Sequence, residues 1–209
     1  MKEIYSCPQN LYIMPNNNLF YKSKSCMLLI IIVLAGLSAF LPANARADTS
    51  DRELAVFASN GGNTAYLTAG LLLPLVMDGE KGKDNSLRAA DALLTTTLIT
   101  TALKEATHEK RPEGNSHNSF PSGHASAAFS IAAAQSHFHP NQSLYWYGGA
   151  ALISWSRVRL QRHYTHDVIA GAALGYFTTN WALSKPRGLI LTPFIRPDKG
   201  LGMQVSRAF

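Results

Sequence analysis

PSGHASAAFSIAAAQSHF, residues 121–138, sets a proline, a hydroxyl and a glycine directly against a run of small apolar side chains. Proline pre-sets the backbone at a helix entrance, serine can cap it, and glycine lets the main chain approach a neighbour closely. The run that follows reads as a helix over 122–137, built for a core rather than a surface. The first amides of such a helix point outward without partners, which makes its entrance an anion site. His124 stands at the rim of that entrance, where it could give or take a proton. Taken alone, the tetrapeptide Pro121-Ser122-Gly123-His124 is no more than a good helix start.

The same pattern extends outward on both sides. From Asp51 to about Ser184, apolar and small residues come in stretches separated by Gly, Asn and Pro, and no alternating strand pattern interrupts them. Helices are expected over 64–77, 85–110, 122–137, 142–160 and 166–183. After Pro186 the character changes: residues 189–195 (LILTPFI), a Pro-Asp-Lys-Gly turn and residues 203–209 suggest a terminal hairpin strapped to the bundle. The expected fold is therefore all-α, a compact bundle of five to six helices with a short C-terminal β-hairpin.

A chain of 209 residues accommodates one such domain. Lys22 and Lys24 precede the short apolar run 27–40 (MLLIIIVLAGLSAF), and Ala45-Arg46-Ala47 follows it. That order reads as a signal peptide over residues 1–47, with an uncleaved anchor as the alternative, and leaves residues 48–209 as the working domain. The location implied is exported, periplasmic or extracytoplasmic. Both cysteines, Cys7 and Cys26, lie in the leader, so disulfide and thiolate chemistry are not expected in the domain. The whole chain carries a formal +6, but the leader takes much of it and leaves near +3. This is too mild for a nucleic-acid binder, and none is expected as a partner. Residues 168–184 are uncharged for about one bilayer span, yet Thr178, Thr179 and Asn180 interrupt them. A soluble or peripheral bundle is favoured over membrane-embedded helices, with membrane association kept as the alternative.

Three separated stretches carry the chemistry. In KEATHEKRP, Lys104 and Arg111 are seven residues apart; on one helix ended by Pro112 they would share a face. The helix entrance at 121–124 is the second stretch. In SRVRLQRHYTHD, His163 and Asp167 are four apart, the spacing at which a carboxylate can hold one imidazole nitrogen on a helical turn and leave the other facing a cavity. Arg157 adds a permanently charged fork suited to phosphate-like oxygens. Any one of these could be a solvated surface charge. Together they form a complete set for phosphoryl transfer without a metal: cations, oriented amides and two imidazoles.

These stretches resemble the type 2 phosphatidic acid phosphatase superfamily, which includes class A acid phosphatases and vanadium haloperoxidases. The pattern K-x6-RP falls at 104–112, PSGH at 121–124 and SR-x5-H-x3-D at 156–167. The resemblance implies that His163 attacks phosphorus to form a phosphohistidine, that Asp167 orients it, and that His124 protonates the leaving oxygen and then activates water. It assigns Lys104, Arg111, Ser122, Gly123 and Arg157 to the phosphate oxygens. One departure is visible: only eight residues separate the first two motifs, fewer than the family usually shows, which bears on substrate recognition more than on chemistry.

The activity expected is hydrolysis of phosphate monoesters, on lipids or soluble molecules, with no cofactor and no metal. Two alternatives stand beside it: a haloperoxidase holding vanadate in the same cradle, and a non-catalytic envelope protein binding anionic headgroups. The pairs His163/His166 and His137/His139 have usable metal spacings but lack cysteine partners and an HExxH element, so solvated or capping roles are the better reading. Arg159 and Arg162 read as a solvated face. Trp146, Trp155 and Trp181 read as core or interfacial anchors.

Overall fold

The computed structural model describes residues 49–114, 116–185, 188–196 and 200–205. The leader read over residues 1–47 lies outside them. Among the described residues the fold is a bundle of six α-helices: α1 (Thr49–Phe57), α2 (Asn63–Met77), α3 (Gly82–Thr107), α4 (Gly123–Phe138), α5 (Ser143–Arg159) and α6 (Thr165–Ser184). A π-helical turn, Ala58–Gly62, joins α1 to α2 without breaking the helical path. Single 3₁₀ turns at Gly79–Lys81 and Pro140–Gln142 lead into α3 and α5.

The small-residue run becomes the axis of the bundle. Ten of the sixteen residues of α4, from Ala125 to Gln135, are buried, and α2, α3, α5 and α6 all pack on it. Short side chains permit this because the limiting contact is then backbone against backbone. On α6, a Cβ added at Gly171 would stand 2.5 Å from the Ser122 carbonyl oxygen, and one at Gly175 would stand 2.2 Å from that of Ser126. Across the seam, buried hydroxyls satisfy one another: Thr96 with Thr178 (2.6 Å), Ser130 with Thr179 (2.7 Å), and Thr100 donating to Ser126 (2.9 Å). The threonines that interrupt the apolar character of residues 168–184 are thus interior partners, as buried polar groups must be. Among the described residues, no helix is long and apolar enough to cross a membrane.

Beyond α6, the buried carboxylate of Asp91 accepts the backbone N–H groups of Leu189 and Ile190, each at 2.8 Å. The backbone of β1 (Leu191–Arg196) then runs antiparallel to β2 (Gly200–Val205), with Leu191 opposite Val205. Residues 197–199 lie outside the described residues, and the fold class is that of the helical bundle.

Three local expectations need correction. No helix was expected before residue 64, yet α1 covers Thr49–Phe57. The helix expected over 85–110 stops at Thr107, because His108 takes a left-handed conformation (φ 47°) and its N–H caps the Lys104 carbonyl at 3.1 Å. Arg111 therefore does not share a helix face with Lys104. Likewise α6 begins at Thr165, so His163 and Asp167 meet across a helix entrance rather than along a helical turn.

Candidate active site

Lys104 and Arg111 are brought together by the loop that follows α3, not by helical period. The Lys104 ammonium donates to the carbonyls of Asn118 (2.6 Å) and Ser119 (3.2 Å), and Arg111 Nε donates to Asn118 Oδ1 at 2.9 Å. Arg111 N–H bonds the Ser116 carbonyl at 3.0 Å, and its guanidinium lies 3.6 Å from Glu113, which also pairs with Arg162 at 2.7 Å. The eight-residue connection is thus folded back on its own cations, with Asn118 as the common anchor. Burial, and then the charges of Arg111 and Arg157, bring the Lys104 ammonium down to about 8, against the opposing pull of Asp167.

The entrance of α4 docks on α6 through Ser122, whose N–H donates to the Asp167 carbonyl at 2.9 Å. Ser122 occupies the N-cap position with extended backbone, but its side chain caps nothing. Its hydroxyl is buried without a protein partner. Gly123 opens the helix, and a Cβ there would lie 3.8 Å from Lys104 Cε, so the lysine stem runs beside the α4 amides. His124, on the first turn, is half-buried. Burial, then the charge of Arg157, and then those of Arg111 and Lys104 hold its pKa down at about 4, opposed by a hydrogen bond to the Ser59 backbone.

Arg157, in the last turn of α5, is buried. It donates through Nη1 to Ser59 Oγ, while its Nε is buried without a protein partner. Its carbonyl accepts the N–H groups of Arg162 (2.9 Å) and His163 (3.3 Å), curling the chain back toward the bundle. His163 is 3% exposed. Its Nδ1 faces Asp167 Oδ2 at 3.4 Å and Ser119 Oγ at 3.5 Å, long contacts that nonetheless orient the ring and turn Nε2 the other way. The same Asp167 oxygen accepts from Ser119 Oγ at 2.5 Å and from Tyr164 N–H at 2.9 Å, the latter within a capping box. Burial first, then Lys104, Arg157 and Arg111, push His163 down to about 3, with Asp167 opposing. At neutral pH the ring is uncharged and its Nε2 lone pair is available.

Asp167 Oδ1 lies 3.1 Å from His166 Nε2 but makes no aligned hydrogen bond. The exposed His166 pairs with Glu109 Oε1 at 2.8 Å and stacks on Tyr164. Glu109, His166 and Asp167 place three potential metal-ligating atoms within 4.8 Å of one another, whereas His139 pairs with Asp78 at 3.2 Å. Of the tryptophans, Trp146 is buried against Tyr66, and Trp181 is exposed.

The three motif stretches therefore assemble around one another, linked by Ser122 to Asp167, by Ser119 to both His163 and Asp167, and by Lys104 to the loop before α4. Sequence reasoning missed Ser119, Asn118 and Ser59. Ser119 lies in the eight residues between the first two motifs, where a serine carries no distinguishing pattern; Ser59 is 98 positions from Arg157, and no local pattern announces it.

Three cations, a helix N-terminus and two uncharged imidazoles near one another have the chemistry to hold a tetrahedral oxyanion. The model of the PAP2 superfamily matches residues 96–189, a span containing every site residue expected from the sequence. Those residues belong to the type 2 phosphatidic acid phosphatase superfamily. A lipid A 1-phosphatase from Porphyromonas gingivalis is 30% identical over 166 residues, covering 68% of this chain but only 37% of the relative. The crystal structure of Aquifex aeolicus LpxE superposes with a TM-score of 0.58 at 24% identity, covering 75% of this chain and 94% of that one, and supports the fold. A transmembrane PAP2-type phosphatidylglycerolphosphate phosphatase from Bacillus subtilis superposes at only 0.40 (24% identity, 76% and 93% coverage), which is too low to add to it.

Proposed function

We propose that this protein is a metal-independent phosphatase that hydrolyses phosphate monoesters carried by lipids, through a phosphohistidine at His163. The observation that carries this reading is the pair of buried, unpartnered donors, Ser122 Oγ and Arg157 Nε. Leaving such groups unpaired costs about 1–3 kcal/mol each, and a phosphoryl group would satisfy both. Its equatorial oxygens would be held by them together with Lys104, Arg111 and the Gly123 amide. His163 Nε2 would attack phosphorus as the bond to the ester oxygen breaks, and Asp167 would stabilise the charge arising on the ring. His124 would give a proton to the departing oxygen. It would then take one from water as that water attacks the phosphohistidine and frees inorganic phosphate.

His124 is uncharged at neutral pH in the free protein, so its acid form must be recruited. A phosphate dianion does this by offsetting the Arg157, Arg111 and Lys104 charges that hold the ring down. Binding and acid activation are thereby coupled.

A lipid substrate is favoured over a soluble one by the large apolar side chains that α1, α2, α5 and α6 leave in the open, among them Phe57 (65% exposed), Val76 (83%), Tyr145 (78%) and Phe177 (67%). The lipid phosphatase relative supports the same class. Export with removal or retention of residues 1–47 accords with this, since the substrate would be met at the outer side of a cytoplasmic membrane. The test is phosphate release by the purified chain from an aryl phosphate and from lipid phosphates in vesicles. Turnover should disappear in His163→Ala, and orthovanadate should inhibit the wild type. Absence of release from every substrate, or a His163→Ala variant that keeps its rate, would overturn the reading.

A further inference from the structure

The helical rod from Thr49 to Met77 is α-helical except at Ala58–Gly62, where one turn is π. A π turn inserts an extra residue into the ladder at a cost in hydrogen-bond geometry, and such turns concentrate where a side chain must be re-aimed at a functional site. Here the re-aimed residue is Ser59, 2% exposed on the face that packs against α5. Its hydroxyl accepts from the Arg157 guanidinium. Ser59 thus touches a motif residue from outside the span that the family model matches.

We propose that Ser59 is a positioning residue of the site, aimed by the π turn so that its hydroxyl holds Arg157 toward the phosphoryl pocket. The guanidinium, tethered at Nη1, presents its unpartnered Nε in a single orientation. The proposal rests on the phosphatase reading for its kinetic consequences but not for its structural one.

Ser59→Ala removes the hydroxyl and leaves the helix backbone in place. With an aryl phosphate, Ser59→Ala should raise KM, and the inhibition constant of orthovanadate, by about tenfold, as loss of a hydrogen bond to a charged group would do, while kcat stays nearly unchanged. Guanidinium ¹⁵N NMR of the full chain reads the structural half directly: the wild type should show one exchange-protected Arg157 Nε–H signal at pH 7, and Ser59→Ala should lose that protection. Unchanged KM and vanadate inhibition in Ser59→Ala, or an Arg157 signal that is the same in both proteins, would overturn the proposal. If the wild type neither hydrolyses aryl phosphate nor binds orthovanadate, the phosphatase reading fails, and the Arg157 signal still decides whether Ser59 holds it.

Discussion

The two imidazoles of the site are both pushed far to the acid side of ordinary histidine, but they are held by different means. His163 is anchored by a carboxylate that is itself fixed by Ser119 Oγ and the Tyr164 N–H; His124 stands half-buried on the first turn of α4, held down by burial and by the charge of Arg157. A carboxylate partner suits the proposed nucleophile, a ring that would become cationic on bonding phosphorus, because the developing charge is met by a fixed opposite one. A neighbouring cation suits the proposed acid, a ring that would both release and accept a proton, because it does not lock the ring in the cationic form. The difference teaches that the proposed nucleophile and the proposed acid are tuned by different neighbours, and separate perturbations should reveal it.

The largest effect should come from His163→Ala, with kcat reduced at or beyond the upper end of about 10²–10⁴-fold for every substrate, measured by initial-rate phosphate release. His124→Ala should cost less, about 10²–10³-fold on an alkyl phosphate, and less again on an aryl phosphate whose leaving group needs no proton. If the two variants lose activity equally whatever the leaving group, the assigned division of labour is wrong. Ser119→Ala, which removes one of the bonds fixing Asp167, should lower kcat by about tenfold while leaving KM close to wild type. Were KM to move instead, Ser119 would belong with the phosphate contacts and not with the His163 anchor.

The pH responses are smaller and sharpen the same contrast. Both rings have folded pKa values, about 3 and about 4, below the ordinary value near 6.5. As pH falls through 6.5, the unfolded chain takes up protons that the native state refuses. Stability is therefore complete above that pH and is lost progressively toward pH 4 and below. Thermal melts between pH 7 and 4 should show the decline, and His163→Gln should flatten it. On the alkaline side, Lys104 at about 8 predicts that kcat/KM falls above that pH as the ammonium loses its charge. Lys104→Arg should move this limb out of range; a limb that stays near 8 would assign it to another group.

Legibility differed along the chain for physical reasons that particular residues make plain. The helical character of α2 to α6 could be read because small and apolar residues, glycine and proline act locally on the backbone. The three motifs were readable because the phosphoryl chemistry they suit requires particular residue types at short spacings. The path by which motif residues meet was misread twice. Lys104 and Arg111 were placed on one helix face, but a left-handed His108 turns the chain between them. His163 and Asp167 were placed on one turn, but α6 starts only at Thr165. In both cases the spacing was real and the local geometry was decided by backbone capping. Ser122, a residue type that can cap a helix, caps nothing here: its N–H reaches the Asp167 carbonyl while its hydroxyl stays free of protein partners.

The amino-acid sequence by itself determined the helical class, the inventory of imidazoles, carboxylate and cations, and membership of the superfamily, because each depends on residue identity and short-range periodicity. Only the tertiary structure decided which neutral groups pack against them: Ser119 beneath Asp167, Asn118 between the two cations, and Ser59 behind Arg157. A serine or asparagine carries no charge and no periodic signature, so its role becomes visible only when folding closes nearly a hundred residues of chain and brings its hydroxyl or carbonyl within reach of a buried partner.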